Sequence, residues 1–359
     1  MIGPHDEHDE IADRYTVVSF VGEGGMQYVY NAFDKFLARN VALKTPKNSS
    51  AEKRFLRSAV VASKVNHPNV AKTLDYVEFE GRSYLVEELI DGKDLDKSIL
   101  QKSDYVDPYL AASIFHNLAK ALAASHHANV IHRDLKPTNI MIAGGLQPNC
   151  IKITDFGIAK MADEELSAAA EGGNDTISNS QTAVGALPYM APEAIATPRK
   201  VTVAADIWSL GAMMYELLAG KKPFGTGLLA VSKIMSNTPP TFPAFITQNP
   251  QFAPLASNLS EIILKCLITN PDNRPNADEL VTQCSALCYP TSERSVAKVK
   301  EIKFNSYGFI RGDGDGDGDD VFFHFDSVYG NRPTIGDSVM FSKYIGGGAW
   351  RAHPVVKLR

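Results

Sequence analysis

Two short runs near the start of the chain, Tyr15 to Phe20 and Tyr28 to Ala32, are rich in β-branched and aromatic residues, and a glycine cluster separates them. Such runs broken by glycine predict a β-hairpin. Lys53 to Val65 has helical character and stops at Asn66-His67-Pro68, because the residue before a proline is pushed away from helical backbone. From Pro108 onward long Ala-, Leu- and Met-rich segments take over, of which Tyr109 to His127 and Asp206 to Ala219 predict helices. The order is strands first, helices second. Glu164 to Gln181 is rich in Ser, Gly, Asn and Thr without periodicity, which predicts a mobile loop. Beyond Pro290, Val, Ile, Phe and Tyr alternate with Gly and Asp through to Arg359, the texture of short strands. The expected division is an acidic tail at 1–13, a body at 14–290, a linker at 291–296 and a small β domain at 297–359.

Composition changes this picture only a little. A chain of 359 residues exceeds one ordinary domain of about 100 to 200, so two domains or one large bilobal unit are expected. Hydrophobic residues at 44% and charged residues at 21% exclude bulk disorder. A formal charge of −5 excludes coating of nucleic acid or an anionic membrane by charge alone, though not a local binding face. Four cysteines, Cys150, Cys266, Cys284 and Cys288, are too few for a disulfide framework and fit a reducing cytoplasm. Cys284 and Cys288 have helical spacing but lack a second Cys/His pair to complete a zinc site, so both read as core or surface thiols. The start, Met1 to Glu10, is acidic where a signal peptide needs a basic, then apolar, stretch. No segment reaches the roughly 18 consecutive apolar residues of a membrane helix. The expectation is a soluble cytoplasmic protein with no membrane partner.

The candidate chemistry concerns phosphate. Gly22-Glu23-Gly24-Gly25-Met26-Gln27-Tyr28-Val29 fills the hairpin turn, where glycines let backbone N–H groups approach phosphate oxygens. Taken singly it is equally a plain turn. It is followed in order by Val41-Ala42-Leu43-Lys44, Ile131-His132-Arg133-Asp134-Leu135-Lys136-Pro137-Thr138-Asn139, Asp155-Phe156-Gly157 and Ala191-Pro192-Glu193. Any one Asp or Lys among these could be a solvated surface charge. Chance does not deliver the ordered set.

This set resembles the eukaryotic-like protein kinases, and the run from Arg14 through the glycine loop is similar to their bacterial Ser/Thr branch, over roughly residues 14 to 290. The resemblance implies an α+β bilobal fold that transfers the γ-phosphate of magnesium-ATP to Ser/Thr hydroxyls of protein substrates. It places Lys44 on the α and β phosphates, Asp155 on a Mg2+ ion bridging β and γ, and Asn139 on a second Mg2+. Asp134 would orient the substrate hydroxyl and accept its proton, and Lys136 would neutralise the transferring phosphate. Gly22, Glu23, Gly24 and Gly25 would cover the phosphates. The adenine would lie between Val29 and Ala42 above and Met141 below, bonded to backbone at Glu88 and Ile90. Glu193 and Arg274 match a family ion pair, and Asp206 matches a residue that braces the catalytic loop.

The pattern breaks in several places. Ser58 stands where the family carries the glutamate that partners Lys44 from a helix, and Glu87 stands where an apolar or small hydroxyl residue is usual. A buried unpaired carboxylate is expensive, so Glu87 is expected to pair with Lys44 from the strand. Gln27 replaces the third loop glycine, and Ala186 replaces a threonine that couples the catalytic residues to the substrate segment. Arg133 is of the type that clamps a phosphorylated loop, with Thr176, Ser178, Ser180 and Thr182 as candidate acceptors and Thr182 the one selected.

In the tail, alternation puts Tyr307 with Phe309 on one side of a strand, and pairs Phe322 with His324 or Phe323 with Phe325. Exposed aromatics stack unpaired bases and buried ones make a barrel core; period alone does not decide. The strings Phe304 to Ile310 and Val321 to Phe325, with Gly336 to Phe341, resemble cold-shock domains. That implies an all-β five-stranded OB-type barrel binding single-stranded RNA or DNA through Phe304, Tyr307, Phe309, Phe322, His324 and Phe325, with Lys300 and Lys303 near the backbone. Lys303 stands where that family has a stacking tryptophan. Asp313 to Gly318 looks like the start of a calcium loop, but His324 occupies the twelfth position, and an acidic turn is the better reading. Two functions therefore remain: an active Ser/Thr kinase with a nucleic-acid-binding appendage, favoured by Lys44, Asp134, Asn139 and Asp155, or a silent kinase-shaped scaffold that binds RNA or single-stranded DNA, favoured by Ser58, Glu87 and Ala186.

Overall fold

Arg14, at the foot of the first hairpin, holds Asp34 through two hydrogen bonds of 2.8 and 2.9 Å and Asp75 through one of 2.8 Å, tying three strands together. The computed structural model describes residues 3–24, 27–47, 55, 56, 59–156, 185–236, 238–290, 292–311 and 320–359. Gly25, Ser58, Thr176, Ser178, Ser180, Thr182 and the Asp313 to Gly318 run lie outside them.

The first lobe is a six-stranded sheet in the order β1-β2-β3-β4-β6-β5. Its strands are β1 (Glu10–Ile11), β2 (Tyr15–Glu23), β3 (Gln27–Asp34), β4 (Arg39–Pro46), β5 (Thr73–Phe79) and β6 (Arg82–Glu88). The segment expected as a tail is partly built into it: β1 pairs with β2, Ile11 is buried, and His5 Nε2 lies 2.9 Å from the Tyr84 hydroxyl. Phe55, Leu56 and residues 59–62 are helical.

The second lobe carries a small sheet, β7 (Lys93–Asp94), β8 (Ile140–Ala143) and β9 (Cys150–Ile153), on a helical body. Its helices are α1 (Pro108–His127), α2 (Pro192–Ala196), α3 (Ala204–Ala219), α4 (Gly227–Met235), α5 (Phe245–Gln248), α6 (Ala253–Cys266) and α7 (Ala277–Ser285). Asp107-Pro108 starts α1 as chemistry requires: the Asp107 carboxylate accepts from the Tyr109 and Leu110 N–H groups, and proline fills a position whose N–H would go unused. α3 is buried nearly all round, as a helix at the centre of a lobe must be. It ends at Gly220, left-handed at φ 68°, where a Cβ would sit 2.6 Å from Asp104 O. Cys266 and Cys284 are core thiols, and Cys288 is exposed.

The tail forms a closed barrel, β10-β11-β12-β14-β13, from β10 (Ser295–Lys303), β11 (Tyr307–Arg311), β12 (Val321–His324), β13 (Ser338–Gly346) and β14 (Ala349–Lys357). β10 begins at Ser295, inside the stretch expected as linker. Val299, Ile310, Val321, Phe323, Phe325, Val339, Phe341 and Val355 fill its interior. Gly308 is fixed by close approach, since a Cβ there would meet Glu301 O at 2.5 Å and the Phe323 ring at 2.7 Å.

The barrel does not hang free. Tyr329, Met340 and Val356 belong to the core of the helical lobe rather than to the barrel's own. The Tyr329 ring stands edge-on to Phe252 at 5.2 Å and Phe245 at 5.5 Å, and its hydroxyl donates to Leu218 O at 3.1 Å. Arg294 reaches the buried Asp107 cap at 3.0 Å, Ser103 Oγ donates to Lys357 O at 3.2 Å, and Arg359 N donates to Lys102 O at 2.8 Å. At Gly330 a Cβ would lie 2.2 Å from the Tyr105 ring, so the lobe and the barrel touch backbone to side chain.

Candidate active site

Sheet register brings the first cluster together. In β4 and β6, Ala42 lies opposite Glu87 and Lys44 opposite Leu85, so Ala42, Lys44 and Glu87 share one face. Lys44 Nζ is 2.6 Å from Glu87 Oε2 and 2.7 Å from Asp155 Oδ1. Lys44 is 6% exposed and Glu87 3%, so the ammonium sits buried between two carboxylates. Burial pulls the Lys44 ammonium down, but Asp155 and Glu87 outweigh it and hold it above its ordinary value. Burial pushes the Asp155 carboxyl up, and Lys44 with Gln27 brings it below the usual range. For Glu87 burial wins: its carboxyl stays raised, with Lys44 recovering only part of the cost.

The second cluster is the loop between α1 and β8. Lys136 Nζ lies 2.7 Å from Asp134 Oδ2, and Asn139 Nδ2 donates to the same oxygen at 3.0 Å and to Asp134 O at 2.7 Å. Asp206, at the start of α3, accepts from the His132 N–H at 2.9 Å and the Arg133 N–H at 2.8 Å. Burial would raise its carboxyl, and the His126 ring 3.0 Å away helps hold it down. The backbone is strained at both centres, with φ 68° at Arg133 and 62° at Asp155. The two are joined: Thr154 N donates to Asn139 O at 2.9 Å, His132 Nε2 lies 2.8 Å from Thr154 O, and the His132 and Phe156 rings meet at 4.7 Å.

The remaining candidates surround these. Gly22, Glu23 and Gly24 cap the β2–β3 hairpin, with Gly24 N donating to Gln27 O at 2.9 Å and Glu23 pairing with Lys47 at 2.8 Å. Val29 is opposite Lys44 across β3 and β4, and Met141 lies on β8 in the other lobe. Ile90 is half-buried just beyond β6, and the Glu88 carboxylate is taken up by Lys152 at 2.7 Å. Arg274 grips Glu193 through two bonds of 2.6 and 2.8 Å, with its guanidinium 5.0 Å from the centre of the Trp208 ring.

One contact escaped the sequence reading. Gln27 Nε2 donates to Asp155 Oδ1 at 2.9 Å, so the residue noted only as a lost glycine reaches across the cleft. A polar side chain long enough to span the cleft, in place of a residue with none, was the available signal.

On the barrel, Tyr307, Phe309 and Phe322 form an outward cluster with ring separations of 5.4 to 6.1 Å, and Phe304, 88% exposed, joins it 6.2 Å from Tyr307. His324 is on the same side, its Nε2 3.0 Å from Ser306 Oγ. Phe325 is not. It is buried in the barrel core 5.8 Å from Phe323, because the alternation of β12 carries on to it: Val321, Phe323 and Phe325 face inward while Phe322 and His324 face out. The expectation that Phe325 joins the outer set is corrected accordingly. Lys303 lies 5.5 Å from the Phe309 ring, Lys300 is paired with Asp320, and Arg351, which the sequence reading passed over, stacks 5.3 Å from Phe322.

A two-lobed body with a Lys–Asp pair under a glycine turn and an Asp–Lys–Asn cluster facing it defines a phosphotransferase-like cleft of the protein kinase class. Comparison makes this specific: the protein kinase domain family model matches residues 15–284, and the chain belongs to that family. It is 32% identical over 278 residues to the probable serine/threonine-protein kinase PknB of Lactococcus lactis, covering 76% of this chain and 41% of that protein. It is 34% identical to the serine/threonine-protein kinase PknA of Mycobacterium tuberculosis, covering 74% of this chain and 58% of that one. The chain thus spans between about two fifths and three fifths of the length of these relatives. The crystal structure of a mutant form of the Mycobacterium tuberculosis PknI kinase domain superposes with a TM-score of 0.57 over 79% of this chain and 98% of that one, at 23% identity, a likeness of fold.

Proposed function

We propose that the protein transfers the γ-phosphate of ATP to Ser or Thr hydroxyls of protein substrates, as a cytoplasmic enzyme. The observation that carries this is the meeting, in one cleft, of Lys44 with Asp155 and of Asp134 with Lys136 and Asn139. The donor set suits magnesium: a carboxylate at Asp155 and an amide oxygen at Asn139 are hard ligands, and Mg2+ commonly takes one or two protein oxygens beside substrate phosphates. Bound there, the metal would offset charge on the β and γ phosphates.

The chain's own residues do the rest. Lys44 presents its charge to the α and β phosphates. Asp134, fixed by Lys136 and Asn139, orients the incoming hydroxyl and takes its proton. Lys136, 2.7 Å from Asp134, is placed to follow the transferring phosphate. Asp206 holds the loop from below through two backbone N–H groups, so the catalytic carboxylate is positioned before substrate arrives.

Asp134→Asn should abolish labelling of the protein or a generic substrate from γ-labelled ATP and magnesium, with the fold intact by circular dichroism. Labelling at the wild-type level in that variant would sink the enzyme reading and leave the scaffold alternative.

For the barrel at 295–359 we propose a cold-shock-like, OB-type module that binds single-stranded RNA or DNA on Phe304, Tyr307, Phe309, Phe322 and His324. The support is the clustering of these rings on an outer face, with Lys303 and Arg351 beside them. Binding of a single-stranded oligonucleotide should weaken with salt and be lost in Tyr307→Ala with Phe322→Ala. Each stacked base is worth about 1 to 3 kcal/mol, so the double change should cost tenfold or more. Unchanged binding would place the site elsewhere. Among the described residues no helix is long and apolar enough to cross a membrane.

A further inference from the structure

Gln27 is 6% exposed, and its amide is used on one side only. Nε2 donates to Asp155 Oδ1 at 2.9 Å, an assignment the chemistry fixes because a carboxylate cannot donate in return. Oε1, on the same planar amide, is buried without a hydrogen-bond partner. An orphaned buried carbonyl costs stability, which marks it as a place for a bound donor or cation.

The surroundings restrict what that partner is. Gln27 opens β3 directly after the glycine turn, and Asp155 faces it across the cleft. Phosphate oxygens only accept hydrogen bonds, so they cannot satisfy a carbonyl. Lys44, which shares Asp155 Oδ1 with Gln27, is already engaged by Glu87 and Asp155, and Lys47 by Glu23. A hard cation, or a water bound to one, would supply what it lacks beside the Asp155 carboxylate, and a carboxamide oxygen is a suitable ligand for magnesium.

We infer that Gln27 is a metal-facing residue of the cleft: its Oε1 takes the magnesium of a magnesium–nucleotide complex, or one of that ion's waters, beside Asp155. This rests on the proposed reading of the cleft as a magnesium–nucleotide site and adds a ligand from the glycine turn itself. In this arrangement the amide bridges the two lobes: the N–H side steadies the Asp155 carboxylate and the carbonyl side meets the ion.

The test is binding, with no turnover. A non-hydrolysable ATP analogue is titrated by calorimetry into the full chain at stepped magnesium concentrations, for wild type, Gln27→Met and Gln27→Glu. Methionine keeps length and bulk without a carbonyl; glutamate keeps an oxygen ligand. Gln27→Met should need roughly tenfold more magnesium for half-maximal tightening of nucleotide binding, the size of loss typical for a supporting metal contact. Its affinity in EDTA should equal wild type, and Gln27→Glu should need no more magnesium than wild type. An unchanged magnesium requirement in Gln27→Met overturns the inference. So does a lower one, which would make Gln27 a plug that metal must displace. If wild type shows no magnesium-dependent nucleotide binding at any concentration, the reading of the cleft falls and this inference with it.

Discussion

Glu87→Leu should lower phosphoryl transfer by about 10²- to 10³-fold, the usual cost of losing one fixed charge contact in a catalytic site, while melting at or above the wild-type temperature. The two halves of this expectation have separate causes. Lys44 is held at 2.6 Å by Glu87 and at 2.7 Å by Asp155. Asp155 is proposed to turn to a metal when nucleotide binds, and Glu87 then becomes the anchor that keeps the ammonium aimed at the phosphates. Without it the ammonium is free to follow Asp155. Stability runs the other way. Burying a carboxylate is costly, and the Glu87 carboxyl is raised by that burial despite Lys44. A raised carboxyl pKa in the fold means the ionised form costs stability as pH climbs past its unfolded value, so removing the acid relieves that cost at neutral pH. Breaking a buried ion pair ordinarily costs about 3 to 5 kcal/mol because the partner is stranded. Here Lys44 retains Asp155, which cushions the loss. Rates from γ-labelled ATP and a thermal melt decide the matter: a variant as active as wild type removes Glu87 from the mechanism.

Tyr329→Ala should destabilise the whole protein by about 3 to 5 kcal/mol, the range for removing a large buried aromatic, and should split unfolding into two transitions. Tyr329 comes from the barrel but is 1% exposed within the helical lobe, among Tyr105, Phe245 and Phe252, with its hydroxyl on Leu218 O. Its removal opens a cavity at the contact and strands a carbonyl at the end of α3. The buried Arg294–Asp107 pair, the Ser103–Lys357 and Lys102–Arg359 bonds and the Met340 and Val356 packing would then be left to hold the two together. Urea unfolding followed by intrinsic fluorescence and circular dichroism should give coincident curves for wild type and separated ones for the variant. Coincident curves at the wild-type midpoint would mean that barrel and body fold independently of this contact.

The ordered motifs were legible in sequence because the chemistry tolerates few substitutes. Lys44, Asp134, Asn139 and Asp155 sit together, and Glu193 and Arg274 form the expected pair. The Glu87 contact could be reasoned out because a buried acid must find a cation and the kinase resemblance put its position beside Lys44; the register of β4 and β6 is what sets them on one face. Gln27 was harder. Its role depends on which way a long side chain turns across a cleft, and no periodicity carries that. Phe325 was misplaced because the cold-shock resemblance assigned it to the outer set, whereas alternation already put it with Phe323, on the side that is the barrel core. Docking of the barrel was invisible. Tyr329, Gly330 and His353 look like turn and strand residues until the helical lobe supplies Phe252, Tyr105 and Tyr109 as their partners.

The position of Glu87 also bears on which small molecules the cleft tolerates. In the kinase pattern the residue at this position is apolar or a small hydroxyl, so a ligand reaching it from the proposed adenine site would meet a neutral wall. Here the back wall presents a buried carboxylate fixed by sheet register opposite Ala42. A greasy extension would have to desolvate that acid without compensating it, whereas a compact basic extension could share it with Lys44. Selective chemical probes for this protein therefore start from amines.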